Sequence, residues 1–243
     1  MNVFKHSGDL GDIIYSLPTI RALGGGILYL DPKGGGHEEY IKRQCPEGKT
    51  KLDASKIDFI KPILEAQPYI EEVRHWNGES YTHNLDEFRI VFGSPTRRSP
   101  TANLADCHLQ RFDLPFSETD KPWLTVDGEI IISRPVVINR SPRVQGGYGR
   151  LNAMKMDLQR DAAFIGLPKE HEYFEWTFGI TVPYYPTSNV MDLAKVIKGS
   201  KLFIGNSSFP LALAIAMGHP KIFQEVDPKA PTTVFQNKEM TYL

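Results

Sequence analysis

Short apolar runs alternate along this chain with longer stretches in which apolar residues recur every three or four positions. Val3 and Phe4 open a strand over residues 2–5. Ile13, Ile14, Leu17, Ile20 and Ala22 then place a broad apolar face on a helix over 11–23. Pro18 inside that pattern is expected to bend the helix or shorten its first segment, because it lacks an N–H and crowds the carbonyl four residues back. Gly24-Gly25-Gly26 ends the helix, and Ile27-Leu28-Tyr29-Leu30 reads as a buried strand. Gly34-Gly35-Gly36 marks a loop before a helix over 37–44, and Ile57, Ile60, Ile63 and Leu64 place another helix over 54–66. Strands are expected at 73–76 and 88–92, and the last helix of this half at 101–112.

From Leu114-Pro115 to Lys121-Pro122 the chain turns polar and proline-bearing, as a linker does. Beyond it, strands are expected at 123–126, 130–132, 135–139, 162–166, 181–184, 201–205 and 221–223, and helices at 169–178, 190–197 and 210–217. Gln145-Gly146-Gly147-Tyr148-Gly149 marks a mobile loop. Strands alternating with helices imply parallel sheets built from βαβ units. The expected architecture is α/β, with two Rossmann-like domains of parallel sheet, residues 1–120 and 121–243, facing each other across a cleft. The first domain is the shorter version of such a unit.

Composition narrows the function classes. A chain of 243 residues with a formal net charge of -1 has no general attraction for nucleic acid or acidic membranes. Local basic clusters can alter this picture, and Arg140, Arg143 and Arg150 lie close together in sequence. Cys45 and Cys107 suit a reducing compartment better than a disulfide framework. No stretch approaches the roughly 18 apolar residues of a membrane span. Lys5, His6, Asp9 and Asp12 interrupt any signal-peptide core. The expected location is cytoplasmic, either free or peripheral to the inner membrane, with no transmembrane segment and no nucleic-acid partner.

Two strand–turn–helix junctions carry the candidate chemistry. In the second, the strand ending at Gly205 passes through Asn206, Ser207 and Ser208 into an apolar helix. Ser207 or Ser208 serves equally well as an ordinary helix cap, with Pro210 suited to the first turn. Four small or hydrogen-bonding residues in a row before a buried helix end also suit a bound phosphate, since that end carries partial positive charge. In the first junction, Gly8-Asp9-Leu10-Gly11-Asp12 fits neither the dinucleotide glycine fingerprint nor the P-loop. Asp12 can complement the helix dipole or act as a general base. His37, the Arg97-Arg98 pair, and Glu170, Glu172 and Glu175 are weaker candidates whose plain reading is solvated surface. No His, Cys and Asp cluster has metal-ligand spacing.

The stretch Leu10-Gly11-Asp12-Ile13-Ile14-Tyr15-Ser16-Leu17-Pro18-Thr19-Ile20-Arg21-Ala22-Leu23 resembles the opening motif of the ADP-heptose:lipopolysaccharide heptosyltransferases, family 9 glycosyltransferases of the GT-B fold. Asp192-Leu193-Ala194, Ile204-Gly205-Asn206 and Gly218-His219-Pro220 resemble that family's nucleotide-sugar motif. The resemblance implies an inverting glycosyltransferase that moves a sugar, heptose among the options, from a nucleoside-diphosphate sugar to a glycan or lipid-linked acceptor of lipopolysaccharide type. It implies Asp12 as the base, Gly11 and Tyr15 on the acceptor side, and Gly205, Asn206, Ser207, Ser208, Arg140 and Ser141 around the donor diphosphate. It implies no metal and no cofactor beyond the donor itself. Ser207, Phe209 and Ala212 stand where the family pattern has Asp, Gly and His, and Tyr15 stands near its first-motif His. The alternative is a non-catalytic GT-B-like protein that binds a nucleotide or glycan; an unrelated Rossmann-type enzyme is the third reading.

Overall fold

A computed structural model describes residues 1–32, 52–92, 103–142, 148–226, 234–235 and 240–242. The expected loop at 34–36, the helix at 37–44, His37, Arg97, Arg98 and Arg143 lie outside the described residues. The chain divides into two compact units, Met1–Thr125 and Val126–Leu243. Residues 121–125, expected to open the second domain, are held by the first. Arg21 donates to the Glu118 and Pro122 carbonyls, Gln67 accepts the Thr125 N–H, and Trp123 is buried.

In the first unit, strands β1 (Asn2–His6), β2 (Gly26–Leu30), β3 (Ile70–His75) and β4 (His83–Asn84) form a parallel sheet in the order β3-β2-β1-β4. All five residues of β2 are buried, which is why it reads as an unbroken apolar run. Helix α1 (Leu10–Ala22) buries every residue from Ile13 to Ile20. It runs through Pro18 without a break. The Ile14 carbonyl, which Pro18 cannot bond, accepts the Trp123 indole N–H at 3.1 Å instead, so a partner 109 residues away offsets the cost of the proline. Helix α2 (Ala54–Glu65) is capped by Asp53, whose carboxylate accepts the Lys56 N–H.

Residues 88–92 are not the expected strand but helix α3 (Phe88–Phe92), entered through a 3-10 turn at Leu85–Glu87. A five-residue segment with four apolar positions fits either period. Here Phe88 and Val91, three apart, turn inward, while Ile90 is 67% exposed. Helix α4 (Leu104–Arg111), capped by Asn103, packs on α1.

The second unit has β5 (Val136–Asn139), β6 (Ala162–Phe164), β7 (Leu202–Gly205), β8 (Ile222–Gln224) and β9 (Met240–Tyr242), all parallel, in the order β6-β5-β7-β8-β9. Its helices are α5 (Tyr148–Ala153), α6 (Lys155–Asp161), α7 (Pro168–Phe178), α8 (Val190–Gly199) and α9 (Phe209–Ala216). The sequence pattern missed α5, α6 and β9. Tyr148 and Gly149, expected in a loop, open α5. The expected strand at 130–132 is instead an extended segment beside α8, where the Ile131 N–H donates to the Lys195 carbonyl and Ile132 is 74% exposed. At 181–184 only an isolated bridge forms, between Phe164 and Tyr184; Pro183 has no N–H to extend a ladder. One core cluster gathers Ile138, Leu158, Phe164, Phe174, Phe178 and Ile204. Among the described residues, no helix is long and apolar enough to cross a membrane.

Candidate functional site

In each sheet the chain first builds to one side of its opening strand and then crosses to the other. The reversal falls between β1 and β4 in the first unit, and between β5 and β7 in the second. Open parallel sheets bind ligands outside the carboxyl ends of their strands at such a switch point. Both strand–turn–helix junctions singled out in the sequence lie there.

At the first switch point β1 runs into His6, Ser7, Gly8 and Asp9, and Asp12 stands in the first turn of α1. The Asp12 Oδ2 accepts the Asp9 N–H at 3.2 Å and lies 3.7 Å from an Arg89 guanidinium nitrogen. Arg89 is also bound to Asp86 Oδ1 at 2.9 Å. Asp86 in turn accepts the Ser7 N–H at 2.9 Å, the Ser7 hydroxyl at 2.7 Å and the Lys5 ammonium at 3.3 Å. Burial opposes ionisation of Asp86, but His6 in its protonated form, Arg89 and the two Ser7 donors together outweigh it and hold the carboxyl below its ordinary range. Lys5 also meets Asp31 at 3.1 Å, and these two carboxylates overcome burial and raise its pKa.

His6 is fully buried and its Nδ1 accepts the Gly8 N–H at 2.8 Å, so that nitrogen carries no proton. Burial lowers the His6 pKa to about 4. Its 3.4 Å approach to Asp86 is therefore not an ion pair. The ring lies beside His108, itself buried and pushed well below the usual histidine range by burial, and His108 stacks on Phe88. A Cβ at position 8 would fall 2.6 Å from the His6 ring and 2.8 Å from Asp12 Oδ2, so only glycine lets the turn close over both. Gly11 follows at the surface of the turn, half-buried. Tyr15, expected on the acceptor side, is 2% exposed; burial, with the Asp12 charge adding to it, raises its phenol pKa. Tyr15 thus has its phenol enclosed within the unit.

At the second switch point Asn139 and Gly205 lie side by side at the ends of β5 and β7. A Cβ on Gly205 would fall 2.7 Å from the Phe203 ring and 3.0 Å from the Asn139 carbonyl, so this glycine answers a packing need of its own. The buried Asn206 side chain clamps the backbone of Ser141, accepting its N–H at 3.0 Å and donating to its carbonyl at 2.6 Å. Arg140 is 1% exposed, gives two parallel hydrogen bonds to Glu225 at 2.7 and 2.9 Å, and lies over the Phe178 ring. The expected phosphate role of Arg140 must therefore compete with a buried carboxylate. Ser208 has the extended conformation of a cap, and its hydroxyl accepts the Leu211 N–H at 3.5 Å. Ser207 stays half-buried at the mouth of α9, whose residues 210–216 are all buried.

Glu170 and Glu175 are used locally: Glu170 Oε2 accepts the Leu167 N–H, and Glu175 Oε1 accepts the Val182 N–H. Glu172 is exposed. Among the described residues, no three His, Cys, Asp or Glu side chains are grouped to hold a metal ion. Sequence reasoning missed Asp86, Arg89 and Glu225. The only sequence signal for the first two was their place just past β4, which was hidden because residues 88–92 resemble a strand.

No protein-family model matches the chain, and no curated protein does. Solved structures do. A glycosyl transferase family 9 protein from Veillonella parvula aligns over 99% of this chain and 84% of its own, at 14% identity and a TM-score of 0.52. The heptosyltransferase WaaC of E. coli, solved with ADP-2-deoxy-2-fluoro heptose, aligns over 99% of this chain and 92% of its own, at 10% identity and a TM-score of 0.55. The E. coli ADP-heptose lps heptosyltransferase II aligns over 100% and 90%, at 12% identity and a TM-score of 0.55. The fold is that of the family 9 heptosyltransferases. The expected α/β architecture of parallel Rossmann-like sheets agrees with this.

Proposed function

We infer that the chain is an inverting glycosyltransferase that takes a nucleoside-diphosphate sugar as donor. The observation that carries this reading is Asp12, an oriented and partly exposed carboxylate at a sheet switch point, in a chain with the heptosyltransferase fold. In the reaction, an acceptor hydroxyl gives its proton to Asp12 while its oxygen forms a bond to the anomeric carbon. The bond from that carbon to the diphosphate oxygen breaks, and the electron pair leaves with the nucleoside diphosphate. General-base help of this kind contributes typically 10²–10⁴-fold. In the second unit, the amino-terminal end of α9 and the Ser207 and Ser208 hydroxyls suit a bound diphosphate. Gly205 and Asn206 act through the backbone they position, and Ser141 is held by Asn206 at the same edge. The donor is a nucleotide sugar, the class of molecule with which WaaC was solved; the acceptor class is a glycan.

The test is transfer from a panel of ADP-, GDP- and UDP-sugars to glycan acceptors, followed by mass spectrometry. Asp12→Asn is expected to lose at least 10²-fold in turnover while still binding nucleotide; undiminished turnover would remove Asp12 from the mechanism. The Arg140–Glu225 pair favours a second reading, a protein that binds nucleotide without transfer, because it engages a basic side chain expected at the donor edge. Nucleotide affinity without transfer or slow donor hydrolysis would select that reading.

A further inference from the structure

Arg89 has a part that the transfer chemistry alone does not require. Its guanidinium spans two carboxylates, with Nη1 2.9 Å from Asp86 Oδ1 and Nη2 3.7 Å from Asp12 Oδ2. The Asp86 end is the fixed one. That carboxylate is 14% exposed and takes both Ser7 donors and the Lys5 ammonium, so charges alternate in sign from Lys5 through Asp86 and Arg89 to Asp12. Arg89 is carried by α3 after β4 and Asp12 by α1 after β1, so the pair ties together the two chain segments that border the switch point.

The Asp12 Oδ2 also takes the Asp9 N–H, and the gap left by Gly8 keeps its surroundings close. Both of these restraints fall on the same oxygen, which fixes how the carboxylate plane is turned. An ordinary surface ion pair is worth about 0–1 kcal/mol and orients nothing, because both side chains swing. Here one partner is pinned at its far edge, so Asp12 must adjust to Arg89. A base that receives a proton from an incoming hydroxyl depends on that geometry, since a misplacement of about 1 Å costs on the order of 10²-fold.

We propose that Arg89, anchored on Asp86, is a positioning residue that sets the orientation of the Asp12 carboxylate for proton abstraction, an assignment that rests on the transferase reading. Two measurements test it together: the side-chain nitrogen NMR spectrum of Arg89, and steady-state transfer by Arg89→Met and Arg89→Lys. The Arg89 Nη signals are expected to shift in Asp12→Asn. Arg89→Met is expected to lower kcat about 10²-fold with the donor KM within about twofold of wild type. Arg89→Lys keeps the charge without the planar fork and should recover about tenfold of that loss.

Arg89 signals unmoved by Asp12→Asn, or a kcat for Arg89→Met equal to wild type, would overturn the proposal. If Arg89→Met does not fold, Arg89→Lys carries the test, and a kcat equal to wild type's then overturns it. A wild-type protein that shows the guanidinium signature but transfers no sugar would remove the transferase reading and the catalytic purpose of the clamp, while the contact itself stood.

Discussion

At the end of β1, charged side chains crowd the edge of the sheet: Asp12 and Arg89 are 18% and 21% exposed, tied to Asp86 and Lys5 beneath. At the end of β5 the arrangement is reversed. The strong ion pair, Arg140 with Glu225, is sunk to 1% exposure, and Asn206, Ser207, Ser208 and backbone amides make up the edge. The same topological position is thus furnished in two ways. A reaction that removes a proton needs a charged, reachable side chain, whereas holding an anion can be left to helix ends and hydroxyls. On the transferase reading proposed above, the first position serves the base and the second the anion.

That contrast can be broken most severely from the buried side. Glu225→Gln leaves the Arg140 charge in the interior without its counter-ion, at an expected cost of about 3–5 kcal/mol in denaturant unfolding. Arg140→Met with Glu225→Leu should recover most of it, since apolar replacement of a buried pair is often neutral. A single-variant loss below about 1 kcal/mol would show that the pair is not truly desolvated.

Next in size is an acid effect centred on the first unit. His6 and His108 are buried neutral with lowered pKa values, so the unfolded chain binds protons that the folded one refuses. Stability is therefore full above the ordinary histidine value and falls as pH drops from about 6.5 toward 4. His6 alone accounts for about 3 kcal/mol of this. Chemical denaturation at a series of pH values should show that slope, and His108→Phe should reduce it; a flat profile would contradict the buried neutral pair.

The smallest of the three effects sharpens the donor edge. Asn206→Ala strands the Ser141 N–H and carbonyl, with an expected loss of about 2 kcal/mol. It should also weaken nucleotide affinity, because the loop after β5 is no longer clamped. Unchanged stability and affinity together would leave Asn206 with no role in shaping that edge.

Much of this was legible in the sequence, and the gaps have physical causes. β1, α1, β2, α2 and the β7–α9 junction follow from periodicity and from Gly, Ser and Pro punctuation. Helix α3 was not legible because so short a segment, four of its five residues apolar, fits both periods, and Arg89 went unnoticed with it. Pro18 signals an interruption, yet the helix runs on through it, and the carbonyl it leaves open is met by Trp123, a partner that no local pattern reveals. Arg140 as a phosphate ligand is what the family resemblance implies. Its partner Glu225 lies 85 residues later, at the end of β8, and only the sheet order brings them together.

The division of labour is tested most directly by calorimetric titration of ADP, GDP and UDP into wild type, Asp12→Asn and Ser207→Glu. The account predicts that whichever nucleotide binds wild type keeps its affinity within about threefold in Asp12→Asn. It predicts at least a tenfold loss in Ser207→Glu, where a carboxylate is set against the diphosphate at the mouth of α9. Equal binding by Ser207→Glu and wild type, or a nucleotide site lost with Asp12, would contradict it.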